Sequence, residues 1–157
     1  LIGQSPASPY CPTYMDYRIQ ADKGSMYNTP NTFGIYVCGK IFRWIEETGG
    51  LIAMEQRNRA KADLLYNLLD NSKLFCGTAQ KDSRSIANVT FRTPSKELDA
   101  EFIAGAAQRG IANIKGHRVA GGMRASIYNA VTLESVRALA AWMDEFESLH
   151  CMGQRSL

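Results

Sequence analysis

The apolar positions of this chain change their period part-way along it. Phe33, Val37, Ile41, Trp44 and Ile45 recur at the spacing of one helix face until Gly49-Gly50 interrupts them. Thr29-Pro30 ahead of that run is a start signal, a capping hydroxyl followed by a proline suited to a first turn. A second helix is predicted over about Leu51 to Asp70. Met54, Leu64, Leu65 and Leu68 form its apolar side, and its middle, Glu55 to Lys61, is heavily charged, the pattern of a half-solvated helix joining two lobes. Beyond Asn71-Ser72 the texture shifts. Ile86 to Arg92 (IANVTFR) alternates as a strand does, and Thr93-Pro94-Ser95 opens an amphipathic helix through Phe102, Ile103 and Ala106 that closes at Gly110. Ile111 to Ile114 and Met123 to Tyr128 read as short strands. Thr132 to Leu149 reads as a final helix with Leu133, Val136, Leu139, Ala140, Met143 and Phe146 inward. From Lys73 onward the expected order is strand-helix-strand-strand-helix, a compact α/β lobe. Residues 1–30 hold four of the five prolines and one alternating run, Thr13 to Ile19, which predicts an irregular segment with a single strand.

Composition narrows the class without fixing the function. With 157 residues, 45% of them hydrophobic, the chain can bury the core of one domain, or of one domain and part of another. A net charge of +3 is too mild to mark a nucleic-acid binder, and no run of ~18 apolar residues is present to span a bilayer. The four cysteines form no Cys-x-x-Cys pair and there are only two histidines, so neither a zinc site nor a disulfide framework is suggested. Free thiols in a reducing cytosol are the plain reading.

Charge matters locally. Lys115 to Ala130 reads KGHRVAGGMRASIYNA, and no Asp or Glu lies between Glu101 and Glu134, so Lys115, His117, Arg118 and Arg124 have no carboxylate nearby in sequence. Gly116, Gly121 and Gly122 bracket these cations and let the backbone approach a bound group closely. Arg118 and Arg124 can each grip a carboxylate or phosphate through two parallel hydrogen bonds. Two arginines suggest two anionic groups. The other reading is that arginines beside a glycine turn are simply solvated and the histidine structural; residue type and spacing leave both open.

KGHRVAGGMRASIYNA, with SMYNTPNTFGIYV (Ser25 to Val37), GLIAMEQRNRAKADLLY (Gly50 to Tyr66) and NVTFR (Asn88 to Arg92), closely resembles the C-terminal part of the phosphoserine aminotransferases, from about Leu1 to His150. These are class V, fold-type I transaminases that use pyridoxal 5'-phosphate to pass an amino group from glutamate to 3-phosphohydroxypyruvate. The resemblance implies the C-terminal small domain of that fold, an α/β lobe over residues 73–150, preceded by an interdomain helix over 51–72. Residues 1–50 would form the end of the large domain and an interface segment, and 151–157 a tail.

The resemblance also implies roles. Arg124 would bind the substrate α-carboxylate; His117 and Arg118 would bind the phosphate, or the side-chain carboxylate of glutamate. Asn28 and Thr29 would clamp the cofactor phosphate across a homodimer interface, in a composite site, although the same pair can be read as a helix cap. The implied setting is cytoplasmic, with small-molecule substrates and with no nucleic-acid or membrane partner. In the family the Schiff-base lysine stands in a Gln-Lys-Asn stretch expected before Leu1. None of Lys23, Lys40, Lys61, Lys73, Lys81, Lys96 or Lys115 matches that context. The chain alone is therefore expected to hold no catalytic lysine and to be inert. The alternative is a non-catalytic anion-binding or oligomerisation module that keeps the fold.

Overall fold

The computed structural model describes residues 2–151, and the chain divides into two compact units, one ending at Glu47 and the other beginning at Thr48. Among the described residues no helix is long and apolar enough to cross a membrane. All four cysteines are unpaired.

The first unit joins an irregular N-terminal stretch, which carries a 3-10 turn at Thr13–Met15 and a short helix α1 (Tyr17–Asp22), to a long helix α2 (Thr32–Glu47). Here the expected strand over Thr13 to Ile19 does not form. Asp16 instead caps α1: its carboxylate accepts the Arg18 backbone N–H at 2.9 Å and the Arg18 guanidinium at 3.1 Å. These bonds hold the Asp16 carboxyl below its ordinary pKa. Helix α2 also starts later than Thr29-Pro30 suggests. Asn31 is the cap, its Oδ1 accepting the Gly34 N–H at 3.0 Å. A Cβ on residue 34 would fall 2.6 Å from the Asn31 amide, so glycine makes room for that cap. No residue of α2 is buried; Phe33 is 78% and Phe42 64% exposed, and Trp44 is 38% exposed.

The second unit is a three-stranded antiparallel sheet with helices packed on its apolar face. Helix α3 (Gly50–Asn71) is followed by β1 (Cys76–Gly77), β2 (Asn88–Arg92), α4 (Lys96–Gln108), β3 (Met123–Ser126) and α5 (Leu133–Cys151). The sheet order is β1-β2-β3, with Thr90 opposite Arg124 and Gly77 opposite Phe91. Val89, Phe91, Met123 and Ala125 point into a core shared with Leu65 of α3, Phe102 of α4 and Met143 of α5. Edge-on aromatic contacts link Phe75, Phe91, Phe102 and Phe146. Trp142, 5% exposed, stacks on Phe102, donates its indole N–H to the Phe102 carbonyl at 3.2 Å, and carries the Arg109 guanidinium over its ring at 3.7 Å.

The lobe is mixed α/β as expected, but its strands fall in a different order: strand-strand-helix-strand-helix. Ile111 to Ile114 is not a strand. The Ile111 N–H returns to the Ala106 carbonyl at 2.9 Å to finish the end of α4, and Asn113 takes a left-handed turn at φ 59°. Only Lys115 bridges to Met123, as an isolated pair. The two-residue β1 is too short to leave an alternating signature. Helix α4 begins where Ser95 indicated, with its hydroxyl accepting the Leu98 N–H at 3.2 Å. Cys151 closes α5; the rest of the expected tail, residues 152–157, lies outside the described residues.

The charged middle of α3 hides a buried cation. Lys61 is 2% exposed, and its ammonium donates to the carbonyls of Ile127, Tyr128 and Val131 at 3.0, 2.7 and 3.0 Å. One turn earlier, the Asn58 amide donates to Asn129 at 2.7 Å. Together they pin the segment that leaves β3 onto α3.

Candidate anion-binding site

Strand β3 sorts its side chains by alternation. Met123, Ala125 and Ile127 are buried, which leaves Arg124 on the polar face of the sheet. Thr90 stands directly across from it, hydrogen-bonded through its hydroxyl to Thr78. The glycine-bracketed loop folds back beside this face. The Gly116 N–H donates to the Gly122 carbonyl and the Gly121 N–H to the His117 carbonyl, each at 2.8 Å. A Cβ on Gly116 would collide with the Gly121 carbonyl and come within 2.8 Å of the Gly122 carbonyl. Gly122 has φ 64°, and a Cβ there would lie 2.7 Å from the Phe91 carbonyl. Neither position admits a side chain, and that closure leaves the exposed His117 lining the same cavity as Arg124.

A cavity of about 300 Å³ results, bounded by Thr90, Arg92, Lys96, His117, Gly121 and Arg124 among others. The one carboxylate in its wall, Asp99, is engaged: it accepts the Thr93 backbone N–H at 2.9 Å and the Thr93 hydroxyl at 2.7 Å. Among the described residues, neither Arg92, Lys96, His117 nor Arg124 forms an ion pair. His117 Nδ1 accepts the Val119 N–H at 3.2 Å, so in the neutral ring the proton sits on Nε2. The wall is therefore a cluster of cationic and donor groups with an internal countercharge already committed elsewhere.

The sequence-assigned residues do not all meet here. His117 and Arg124 line the cavity; Arg118 is exposed and does not. Asn28 and Thr29 belong to the first unit, where they line a separate cavity of about 290 Å³ with Tyr14, Gln20 and Ser25. Thr29 does not cap α2, since Asn31 does. The hydroxyl and amide groups of that cavity suit phosphate oxygens, so these residues fit a phosphate-bearing group. Lys61 is not a free amine, because all three of its donors are used. Arg92 and Lys96 were not singled out by sequence. The signal for Arg92 was present, since it is in phase with Thr90 and out of phase with Val89 and Phe91.

Residues 10–139 match the family model described as aminotransferase class-V. The chain is 55% identical over 150 residues to the phosphoserine aminotransferase of Azotobacter vinelandii and 53% identical over the same length to that of Stutzerimonas stutzeri. Each match covers 96% of this chain and 41% of the relative, so the chain spans about two fifths of the length of these curated relatives. Among solved structures, the phosphoserine aminotransferase of Bacillus circulans subsp. alkalophilus aligns with TM-score 0.85 and 44% identity, covering 95% of this chain and 41% of that one. A pyridoxal-phosphate-bound phosphoserine aminotransferase from Trichomonas vaginalis aligns with TM-score 0.81 and 42% identity over 90% of this chain and 40% of that one.

Proposed function

This chain belongs to the class-V aminotransferase family, and on that premise we propose that it carries the substrate-anion pocket of a transaminase moving an amino group between glutamate and 3-phosphohydroxypyruvate. The observation that carries the reading is the shared cavity: Arg124 and His117, from a strand and a glycine-closed loop, line one space together with further unpaired cations. A doubly or triply charged metabolite supplies the countercharge they lack. Arg124 would hold the α-carboxylate through two parallel hydrogen bonds from its planar fork. His117 would hold the phosphate end by donating a hydrogen bond, strengthened when the ring is protonated. Arg118, just outside the wall, would join His117 by a side-chain rotation. The sheet fixes Arg124 in place, and the carbonyls pinned by Lys61 fix the chain just beyond it.

Asn28 and Thr29 would hold the phosphate of pyridoxal 5'-phosphate through amide and hydroxyl donors, across the interface of a homodimer with composite sites. When bound, the cofactor supplies the electron sink for the transfer. The support for this part is the match to phosphoserine aminotransferases, one of which is solved with pyridoxal phosphate bound.

Binding of O-phospho-L-serine and L-glutamate to the chain tests the assignment. Losing one charge-assisted contact is worth roughly 1.5–3 kcal/mol, about ten- to a hundredfold in affinity. Arg124→Ala should weaken both ligands by that much, and His117→Ala should weaken phosphoserine more than glutamate. Equal effects of His117→Ala on the two would remove its phosphate role.

A further inference from the structure

We infer that Arg92 is a further specificity-determining residue, a second guanidinium for the phosphate end of the substrate that favours a dianionic group over a carboxylate. The inference rests on the reading of this cavity as the substrate-anion pocket. Four observations place Arg92 there. It ends β2 in the polar phase of the strand, the same phase as Thr90, so its side chain leaves the sheet on the face that carries Arg124. It lines the cavity itself, whereas Arg118, the arginine suggested by the neighbouring motif, does not. Its Cβ lies 3.3 Å from where a Cβ on Gly122 would stand, so it sits under the closing point of the loop that presents His117. Finally, no ion pair or side-chain hydrogen bond occupies its guanidinium among the described residues, although Asp99 lines the same cavity.

The position separates the two arginines by task. Arg124 stands opposite Thr90, in the middle of the β2–β3 pair, while Arg92 extends one strand period further, beside Gly121, Gly122 and His117. Lys96, the first residue of α4, lines the same cavity. A ligand whose α-carboxylate lies on Arg124 therefore meets a second concentration of positive charge at the loop end. A carboxylate there carries one negative charge, but a phosphate at neutral pH carries nearly two and offers three oxygens to the donors of a histidine and a planar guanidinium. Arg92 adds most where that second charge exists.

The test uses the 157-residue chain with O-phospho-L-serine and L-glutamate as probes, read by calorimetry or by amide shifts in NMR titrations. Arg92→Gln should lower phosphoserine affinity about tenfold or more while changing glutamate affinity severalfold less, and Arg92→Lys should restore part of the preference, because it returns the charge without the fork. Arg92 is exposed, so unchanged thermal unfolding of Arg92→Gln separates lost binding from lost fold. An equal loss for both probes, or none for phosphoserine while Arg124→Ala still weakens binding of both, overturns the role of Arg92 and leaves the pocket standing. If neither probe binds the parent chain, or if Arg124→Ala leaves both affinities intact, the pocket assignment fails and this inference fails with it.

Discussion

Lys61→Met isolates the energetic role of the buried ammonium that ties α3 to the exit of β3. Methionine keeps most of the aliphatic stem and its packing, so the change removes the charge and three hydrogen bonds without opening a large cavity. In the parent, contacts of 3.0, 2.7 and 3.0 Å use every donor of the ammonium on the carbonyls of Ile127, Tyr128 and Val131. Each hydrogen bond to a charged group is worth ~1.5–3 kcal/mol, and each acceptor left dry costs ~1–3 kcal/mol. Against these stands the desolvation of the ammonium, several kcal/mol, which the variant no longer bears. The terms overlap and do not simply add; because the variant leaves neutral carbonyls and no unpaired charge, the three dry acceptors, at ~1–3 kcal/mol each, set the scale of the net loss. We expect a loss of ~3 kcal/mol, which at urea slopes of ~1–3 kcal/mol/M lowers the midpoint by ~1–3 M with an unchanged slope. A midpoint equal to or above the parent's would refute the reasoning and show that desolvation outweighs the three bonds. The pH dependence gives a second check on sign. Burial pushes the Lys61 pKa below 10.5. Between that depressed value and 10.5 the unfolded chain binds more protons, so the parent's stability rises with pH while the methionine variant lacks this term. The gap between them should widen as the pH climbs toward 10.5; a gap that narrows would mean that the carbonyls hold the charged form more strongly than burial opposes it.

Two other outcomes are expected. In Gly105→Ala the new methyl would lie 2.8 Å from Trp142 Cη2 and closer still to Cζ2, so α4 must shift on α5; thermal unfolding should show a loss of ~1–3 kcal/mol from overpacking, and an unchanged midpoint would contradict the packing described. The Arg84 and Lys81 side chains hold Asp70 down to a pKa of about 2 against 3.8 unpaired, so their stabilisation is complete above 3.8 and is lost as pH falls through about 2. Arg84→Gln should therefore differ from the parent at pH 5 and approach it near pH 2, as followed by urea midpoints at the two pH values; a constant gap would place the effect in the Arg84 stack on Tyr66 instead.

Helices α3, α4 and α5 were legible because each carries a full apolar stripe and a start or stop residue, such as Ser95 or Gly110. Strand β2 was legible because NVTFR alternates cleanly between core and polar face. Where a single residue's hydrogen bond overrides the period, reading failed. Asp16 turned an alternating run into a helix by capping it, and the Ile111 N–H was already committed to the end of α4. The charged stretch Glu55 to Lys61 read as the solvated part of a half-solvated helix, yet Lys61 is buried, because three carbonyls from residues about seventy positions away satisfy it. No local pattern carries that information. Likewise, the charge imbalance around Lys115 to Arg124 pointed to the part of the cavity wall formed by His117 and Arg124, but Arg92 and Lys96, which also line it, come from a different part of the chain, and the pairing of β2 with β3 brings that part alongside.

The two tryptophans of the chain fall one in each unit: Trp44 on α2 and Trp142 in the core, in contact with Phe102 and the Arg109 guanidinium. Their intrinsic emission should thus be spectrally distinct, red-shifted for the partly hydrated indole and blue-shifted for the enclosed one. Replacing Trp44 by phenylalanine would leave a chain whose fluorescence follows the melting of the second unit alone, a built-in optical probe that needs no dye.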